Sequence, residues 1–292
     1  MLIKDALEDT ELMSDSEKEL ASFFLQERLD VATLTARQLA ASLFVSPSTV
    51  TRFCQRLGFS GFPDFKDAFI KEKQYLDQSV KDVDVNKTFK RGDSMWSVAN
   101  TVRQMYAEVS EDTLGLQDYR DLERANALLD RADRIFIYSS GDHLLMAELF
   151  ANKMIRVGRL VTVIERTDMM EFQMQHTSEQ DVFILISYSG ETRSLYRVLD
   201  AISRYSVNII AITSFGKNTL SRAADIVLPI STHERLIQNY GNFSTGIAVS
   251  YILDVLYADY VSCHLEAVEN KTVIEHRYQE HRFTDNPMID DE

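Results

Sequence analysis

Among 292 residues the chain has only two cysteines, four prolines and ten glycines. Cys54 and Cys263 lie far apart, so no disulfide framework is expected and the usage fits a reducing compartment. So little Pro and Gly leaves few turns for a many-stranded sandwich or barrel, which favours helix-rich or α/β architectures. Long apolar runs are scarce too: Gly246 to Val261 is interrupted by Asp254 and Asp259 and falls short of the ~20 residues that span a bilayer. The start carries Asp5, Glu8 and Asp9 and no apolar core, unlike a signal peptide. A cytoplasmic protein without membrane contact is therefore expected. His143, His176, His233, His264, His276 and His281 show no metal-ligand spacing, so neither a metal nor a cofactor is expected.

What is present suffices for two domains, because 45% hydrophobic residues at this length can fill two cores. Net charge is −14, from 31 basic and 45 acidic residues, which excludes a uniformly basic coat. The charge is unevenly spread. Residues 33–75 hold Arg37, Arg52, Arg56, Lys66, Lys71 and Lys73 against Asp64, Asp67 and Glu72, and residues 46–60 contain no acid at all. A small basic module on an acidic body is implied.

Residues 14–75 read as short helices. Ser14-Asp-Ser-Glu17 and Thr35-Ala-Arg-Gln38 are capping boxes, and Ser46-Pro47 is a third start, with Gly58 where a left-handed C-terminal residue belongs. On the third helix Val50, Phe53, Cys54 and Leu57 form the buried stripe. The opposite face carries Ser48, Thr49, Thr51, Arg52, Gln55 and Arg56, donors and guanidinium groups without a carboxylate. Such a face suits phosphates and base edges, and with the preceding short helix it makes a helix-turn-helix. A polar face in a small interaction bundle would look the same. Cys54, on the buried stripe, is read as a core residue.

Residues 76–94 are mostly polar and read as a linker. The expected domains are 1–75, DNA-binding, and 95–292. Helical periodicity returns from Trp96 to Leu129, and five β-rich runs follow, beginning at Arg134, Leu160, Asp181, Val207 and Asp225. Apolar runs separated by helix-compatible stretches predict an α/β fold, a doubly wound five-stranded parallel sheet of flavodoxin-like order. Two hydroxyl-rich loops, Ser139-Ser-Gly-Asp-His143 and Ser187-Tyr-Ser-Gly-Glu-Thr192, would then flank the crevice between strands one and three. Hydroxyls, a glycine and a helix start suit a phosphate monoester; helix capping by Ser189 and Thr192 is the plainer explanation. Glu234, after strand five, is either a general base, a sugar-hydroxyl acceptor or a solvated loop acid.

Leu39-Ala40, Val45-Ser-Pro-Ser-Thr49-Val50, Arg52-Phe53-Cys54, Leu57-Gly58-Phe59, Gly61-Phe62 and Phe65-Lys66, joined to Ser187-Tyr-Ser-Gly-Glu-Thr192, resemble the RpiR family of bacterial transcriptional regulators over most of residues 10–260. The resemblance implies a helix-turn-helix joined to a sugar isomerase (SIS) domain that senses a phosphosugar, acting as a homodimer or a dimer of dimers without catalysis. It implies operator DNA as partner, and the residues expected to meet it are the outward face of the third helix and its surroundings, Ser46, Ser48, Thr49, Thr51, Arg52, Gln55, Arg56 and Lys66. Ser187, Ser189 and Thr192 match the family's phosphate-binding loop, and with Ser139, Ser140, His143 and Glu234 from the reading above they make up the expected site for the phosphosugar effector. His143 stands where the family's GxGxS loop has its phosphate-contacting Ser; an imidazole N–H can donate to a phosphate as well. A phosphosugar aldose-ketose isomerase using Glu234 or His143, and an SIS domain serving only as a dimerisation scaffold, are the alternatives.

Overall fold

The computed structural model describes residues 3–8, 10, 12–26, 31–78 and 83–278. The N-terminal bundle consists of α1 (Ile3–Glu8), α2 (Asp15–Leu25), α3 (Ala36–Ser42), α4 (Pro47–Arg56) and α5 (Phe62–Gln78). Both capping boxes form, and the Ser46 hydroxyl accepts from the Thr49 amide with Pro47 in the first turn of α4. Phe23, Phe24, Phe53, Phe59 and Phe65 are buried together, with Phe24 and Phe59 edge-on to Phe65 at 4.8 and 5.3 Å. Rings crossed in this way gain beyond the area they bury. Two helices go beyond the three starts read from the sequence. The six-residue α1 is held from outside: Glu72 on α5 accepts from the Ile3 and Lys4 amides at 2.6 and 2.7 Å.

The second body begins with α6 (Met95–Gly115) and α7 (Tyr119–Arg131), then alternates β1 (Ile135–Tyr138), α8 (His143–Arg156), β2 (Val161–Ile164), α9 (Met170–Met174), β3 (Val182–Ser187), α10 (Arg193–Ile202), β4 (Asn208–Ser214), α11 (Thr219–Ala223) and β5 (Ile226–Ile230). It ends in α12 (Phe243–Cys263) and α13 (Leu265–Tyr278). All five strands are parallel in the order β2-β1-β3-β4-β5, as the sequence predicts. The strands are apolar on both faces because helices cover both. Ile135 and Ile137 of β1, with Val182, Ile184 and Ile186 of β3, pack on one side with α6, α7, α8 and α12. Phe136 and Tyr138, with Phe183 and Leu185, pack on the other with α9 and α10.

Two expectations need correction. Of the expected linker 76–94, residues 79–82 lie outside the described residues, and the rest is not a free spacer: α5 runs on to Gln78, and Val83 and Val85 are buried in the core beside Met105 and Val109. Asn86 fastens it further, donating to the His233 carbonyl and accepting from the Arg235 amide. Its polar composition conceals two anchoring valines. Likewise α12 is 21 residues long, enough by length and composition to cross a bilayer, and longer than the run from Gly246 to Val261. Its Ile247, Val249, Ile252, Leu253 and Leu256 are instead buried on the sheet.

The turn between α3 and α4 carries an unusual residue. Val45 N–H bonds to the Ala40 carbonyl and Phe44 N–H to Ala41, a double closure that needs a left-handed residue at position 44. Gly58 fills the same role after α4, at φ +88°, whereas position 44 has a phenylalanine at φ +53° with its side chain 97% exposed. The left-handed backbone costs an L-residue roughly 1–2 kcal/mol, and this ring recovers nothing by burial. Phe44→Gly should therefore stabilise the protein by about 1 kcal/mol, after allowing for the greater chain entropy of glycine, as read from denaturant midpoints. A lowered midpoint would contradict the strain.

Candidate functional site

Helix α4 buries Val50, Phe53 and Cys54 and turns its polar face outward. Burial pushes the Cys54 thiol up to about 12, so it is inert packing. Ser46, Ser48, Arg52 and Gln55 are exposed, while Thr49 and Thr51 are half-buried. The hydroxyls at the helix start are linked, Ser46 to Ser48 at 2.7 Å and to Thr49 at 2.8 Å. Arg52 lies along its own helix, with Nε toward the Ser48 carbonyl at 3.4 Å.

The remaining two cations of the predicted set have partners inside the bundle. Arg56 reaches Glu17 at 2.7 Å and the Leu12 carbonyl. Glu17 also closes the capping box of α2, and its carboxyl is held low first by the Ser14 amide and hydroxyl and then by Arg56. Lys66 donates to the carbonyls of Ala32 and Leu34 at 3.1 and 3.4 Å. The absence of acid between residues 46 and 60 is real along the chain, but the fold supplies Glu17 from α2. Helical spacing within α4 could not show it.

At the sheet, Ser139 follows β1 and Ser187 ends β3, and these two strands are neighbours with Tyr138 level with Leu185. The two hydroxyl-rich loops therefore leave the same edge side by side, and α8 and α10 start from them on opposite faces. Ser139 and Ser187 are buried, and their hydroxyls, with that of Thr192, have no hydrogen-bond partner among the described residues. Thr192 occupies the N-cap position of α10, yet its side chain makes no capping bond. Capping thus fails to account for it. Ser189 accepts from the Glu191 amide at 3.2 Å, a local turn bond, and Ser140 is exposed. Gly190 has φ +63°, and a Cβ there would collide with the side chain of Asn218.

His143 is the first residue of α8 and half-buried; burial holds its imidazole below the ordinary histidine value against the opposing pull of Asp142 and Glu234. Glu234 differs from a solvated loop acid. It is 5% exposed and accepts from the amides of Ser244 and Thr245, at 3.3 and 2.8 Å, and from the Thr245 hydroxyl. It caps α12, and both carboxylate oxygens are engaged. The sequence reading missed Ser244 beside it, whose hydroxyl is buried with no partner among the described residues. The start of α12 lies against α8, since a Cβ on Gly246 would press on Met146. A groove of about 460 Å³ lies between α7 and α12, and none of its lining residues comes from these loops.

Residues 3–75 match the helix-turn-helix domain of the rpiR family, and residues 128–258 match the SIS domain. The chain belongs to the RpiR family. It is a helix-turn-helix transcriptional regulator carrying an SIS domain. It is 27% identical over 249 residues to an HTH-type transcriptional regulator of Haemophilus influenzae, covering 84% of this chain and 85% of that one. A second relative, the regulator YfhH of Escherichia coli, is 26% identical over 254 residues, covering 87% and 89%. Among solved structures, the Vibrio vulnificus NanR protein complexed with ManNAc-6P superposes with a TM-score of 0.61 at 20% identity, over 96% of this chain and all of that one. At that identity the superposition speaks for the fold.

On the expectation that α4 meets the operator, the different partners of its two arginines predict different effects of removing them. Arg52→Ala should weaken operator binding by roughly 1–3 kcal/mol and leave unfolding unchanged. Arg56→Ala should instead cost stability, by at most about 1 kcal/mol for a pair this exposed. Fluorescence anisotropy on operator DNA, paired with urea melts, measures both, and equal effects of the two variants on DNA would refute the separation.

Proposed function

We propose that the chain binds operator DNA as a homodimer or dimer of dimers through α4, and that a phosphosugar held by the Ser139–His143 and Ser187–Thr192 loops changes operator affinity. The observation that carries this reading is the set of buried hydroxyls on Ser139, Ser187 and Thr192, on adjacent loops, without partners among the described residues. A buried hydroxyl left unmatched costs about 1–3 kcal/mol. Three beside a helix start make sense as donors to an anion, with the amides of the first turn of α10 completing the cradle. NanR, similar over nearly the whole chain, is known in complex with a sugar 6-phosphate, which favours the same class of ligand here.

A ligand-sensing role without catalysis fits the site. Isomerisation needs a base free to move a proton; Glu234 is committed to α12, and His143, at the start of α8, is on this reading a donor to the phosphate. The relatives are named as transcriptional regulators. We assign DNA reading to residues 1–75 and sensing and assembly to residues 95–292, in a cytoplasmic protein. Leu145 and Leu149, exposed on α8, support pairing of SIS domains.

A panel of sugar 6-phosphates, N-acetylmannosamine 6-phosphate among them, with inorganic phosphate as control, should contain a compound that raises the melting temperature. Ser187→Ala then gives a two-sided outcome. It deletes a hydroxyl with no described partner, so stability should hold or rise, while ligand affinity falls by about 1.5–3 kcal/mol. Undiminished affinity would remove Ser187 from the cradle.

His143 sets a pH dependence. Burial lowers its value in the free protein, and a dianion alongside would raise it. The proton-linked gain in affinity is full below the free value and is lost as pH climbs through the bound one. The second ionisation of the phosphate, near pH ~6, works the other way, so the measured quantity is the affinity ratio of wild type to His143→Ser. That ratio should fall between pH 6 and 8.5 in calorimetric titrations; superimposable curves would mean that His143 does not touch the phosphate.

A further inference from the structure

Lys217 sits in the loop between β4 and α11, outside every motif discussed above. Its Nζ donates to both carboxylate oxygens of Asp64 on α5, at 2.9 and 3.0 Å, and stands 4.4 Å from the ring centroid of Phe59. Phe59 belongs to the turn that joins α4 to α5. Asp64 binds the same turn, accepting from the Ser60 amide at 2.9 Å. The Ser60 amide first, and the ammonium of Lys217 after it, hold the Asp64 carboxyl below the usual carboxylate range. One side chain of the SIS domain thus grips the corner that ends the DNA-reading helix.

The same loop is fastened to the hydroxyl-rich loop after β3. The Asn218 side chain occupies the space a Cβ on Gly190 would need, and it donates to the Thr213 hydroxyl at 3.0 Å. The Leu220 amide donates to the Gly190 carbonyl at 3.2 Å. Glu191 accepts from the amide and hydroxyl of Thr219 at 2.7 and 2.8 Å. Displacement of residues 189–192 therefore presses directly on Asn218 and Thr219, the next residues after Lys217.

We infer that Lys217 is a positioning residue for DNA reading: it locks the α4–α5 corner to the β4–α11 loop, which relays events at the hydroxyl-rich loop to α4. The relay rests on the phosphate reading given above; the lock does not. The strength of the contact suits a switch. Both side chains of the pair are about two-fifths exposed, so the pair is weak and screened by salt, and a small shift of the loop suffices to open it. Loss of the lock frees α4 to take other orientations, the two-state element that coupling between distant sites requires.

The test is amide hydrogen exchange on the full-length protein as wild type, Lys217→Gln and Lys217→Arg. Without ligand, Lys217→Gln should exchange about two- to fivefold faster at residues 60–65, the factor expected of a surface ion pair, with the sheet core unchanged. Lys217→Arg, which keeps the charge, should behave as wild type. Equal exchange in wild type and Lys217→Gln, or faster exchange spread through both domains, would overturn the lock. The second arm adds the sugar 6-phosphate that gives the largest melting shift, or 10-fold steps of inorganic phosphate if none does. In the wild type the ligand should change exchange at residues 187–192 and at 60–65, and in Lys217→Gln at 187–192 alone. A ligand response at 60–65 that survives intact in Lys217→Gln would overturn the relay. If no ligand alters exchange anywhere in the wild type, the phosphate reading and the relay fall together, while the ligand-free comparison still decides the lock.

Discussion

A parallel sheet delivers the carboxyl end of every strand to one edge, and that constraint organises the rest of this molecule. The order β2-β1-β3-β4-β5 sends the chain outward in both directions from the β1–β3 pair, so α8 and α10 start from adjacent strands and cover opposite faces. A crevice opens where they part. Four loops discussed above stand along this edge: the loop of Ser139 and His143, the loop of Ser187 and Thr192, the Lys217 loop after β4 and the Glu234 loop after β5. An antiparallel arrangement of the same strands would have split these loops between two edges.

How legible the fold was in the sequence depended on the range of the interaction that decides each element. The strands were readable because both faces are covered, which turns each into a short apolar run flanked by polar turns. The starts of α2, α3 and α4 were readable because their caps are local, three residues apart. By contrast α1 depends on Glu72, 69 residues away from Ile3, and too short a helix was left for periodicity to reveal. The linker looked free because two valines among many polar residues carry no period, and only the core that receives them shows their purpose.

The same distinction separates the site residues. Which side chains face outward from α4 followed from a 3.6-residue period. Which cations are already engaged did not, because Glu17 and the Ala32 carbonyl reach Arg56 and Lys66 from other helices. Glu234 was visible as a carboxylate after a strand, but its bonds to the α12 amides belong to tertiary structure. The hydroxyl loops were found by residue type and place. What the sequence could not tell is which hydroxyls are satisfied internally, and on that point Ser189, with a turn bond, parts from Ser187 and Thr192. Natural folds satisfy nearly all buried polar groups, and on the proposed reading the unmatched hydroxyls of Ser187 and Thr192 are the ones a phosphate would meet.

The burial of Val83 and Val85 sets the leash between the two bodies. Between Gln78, the last residue of α5, and the anchored Val83 lie only residues 79–82, a span that reaches roughly 17 Å when fully extended. With the rigid length of α5 added, about 21 Å from Gln78 back to Asp64 at 1.5 Å per residue, the corner still stays within roughly 40 Å of Val83, an effective concentration of order millimolar. Most of the entropy of bringing Asp64 to Lys217 has then been spent in the covalent chain. An ion pair too weak to hold two free proteins together can on these terms set the balance between two arrangements of one protein. Lengthening the leash by a few flexible residues would weaken that balance without touching a single contact.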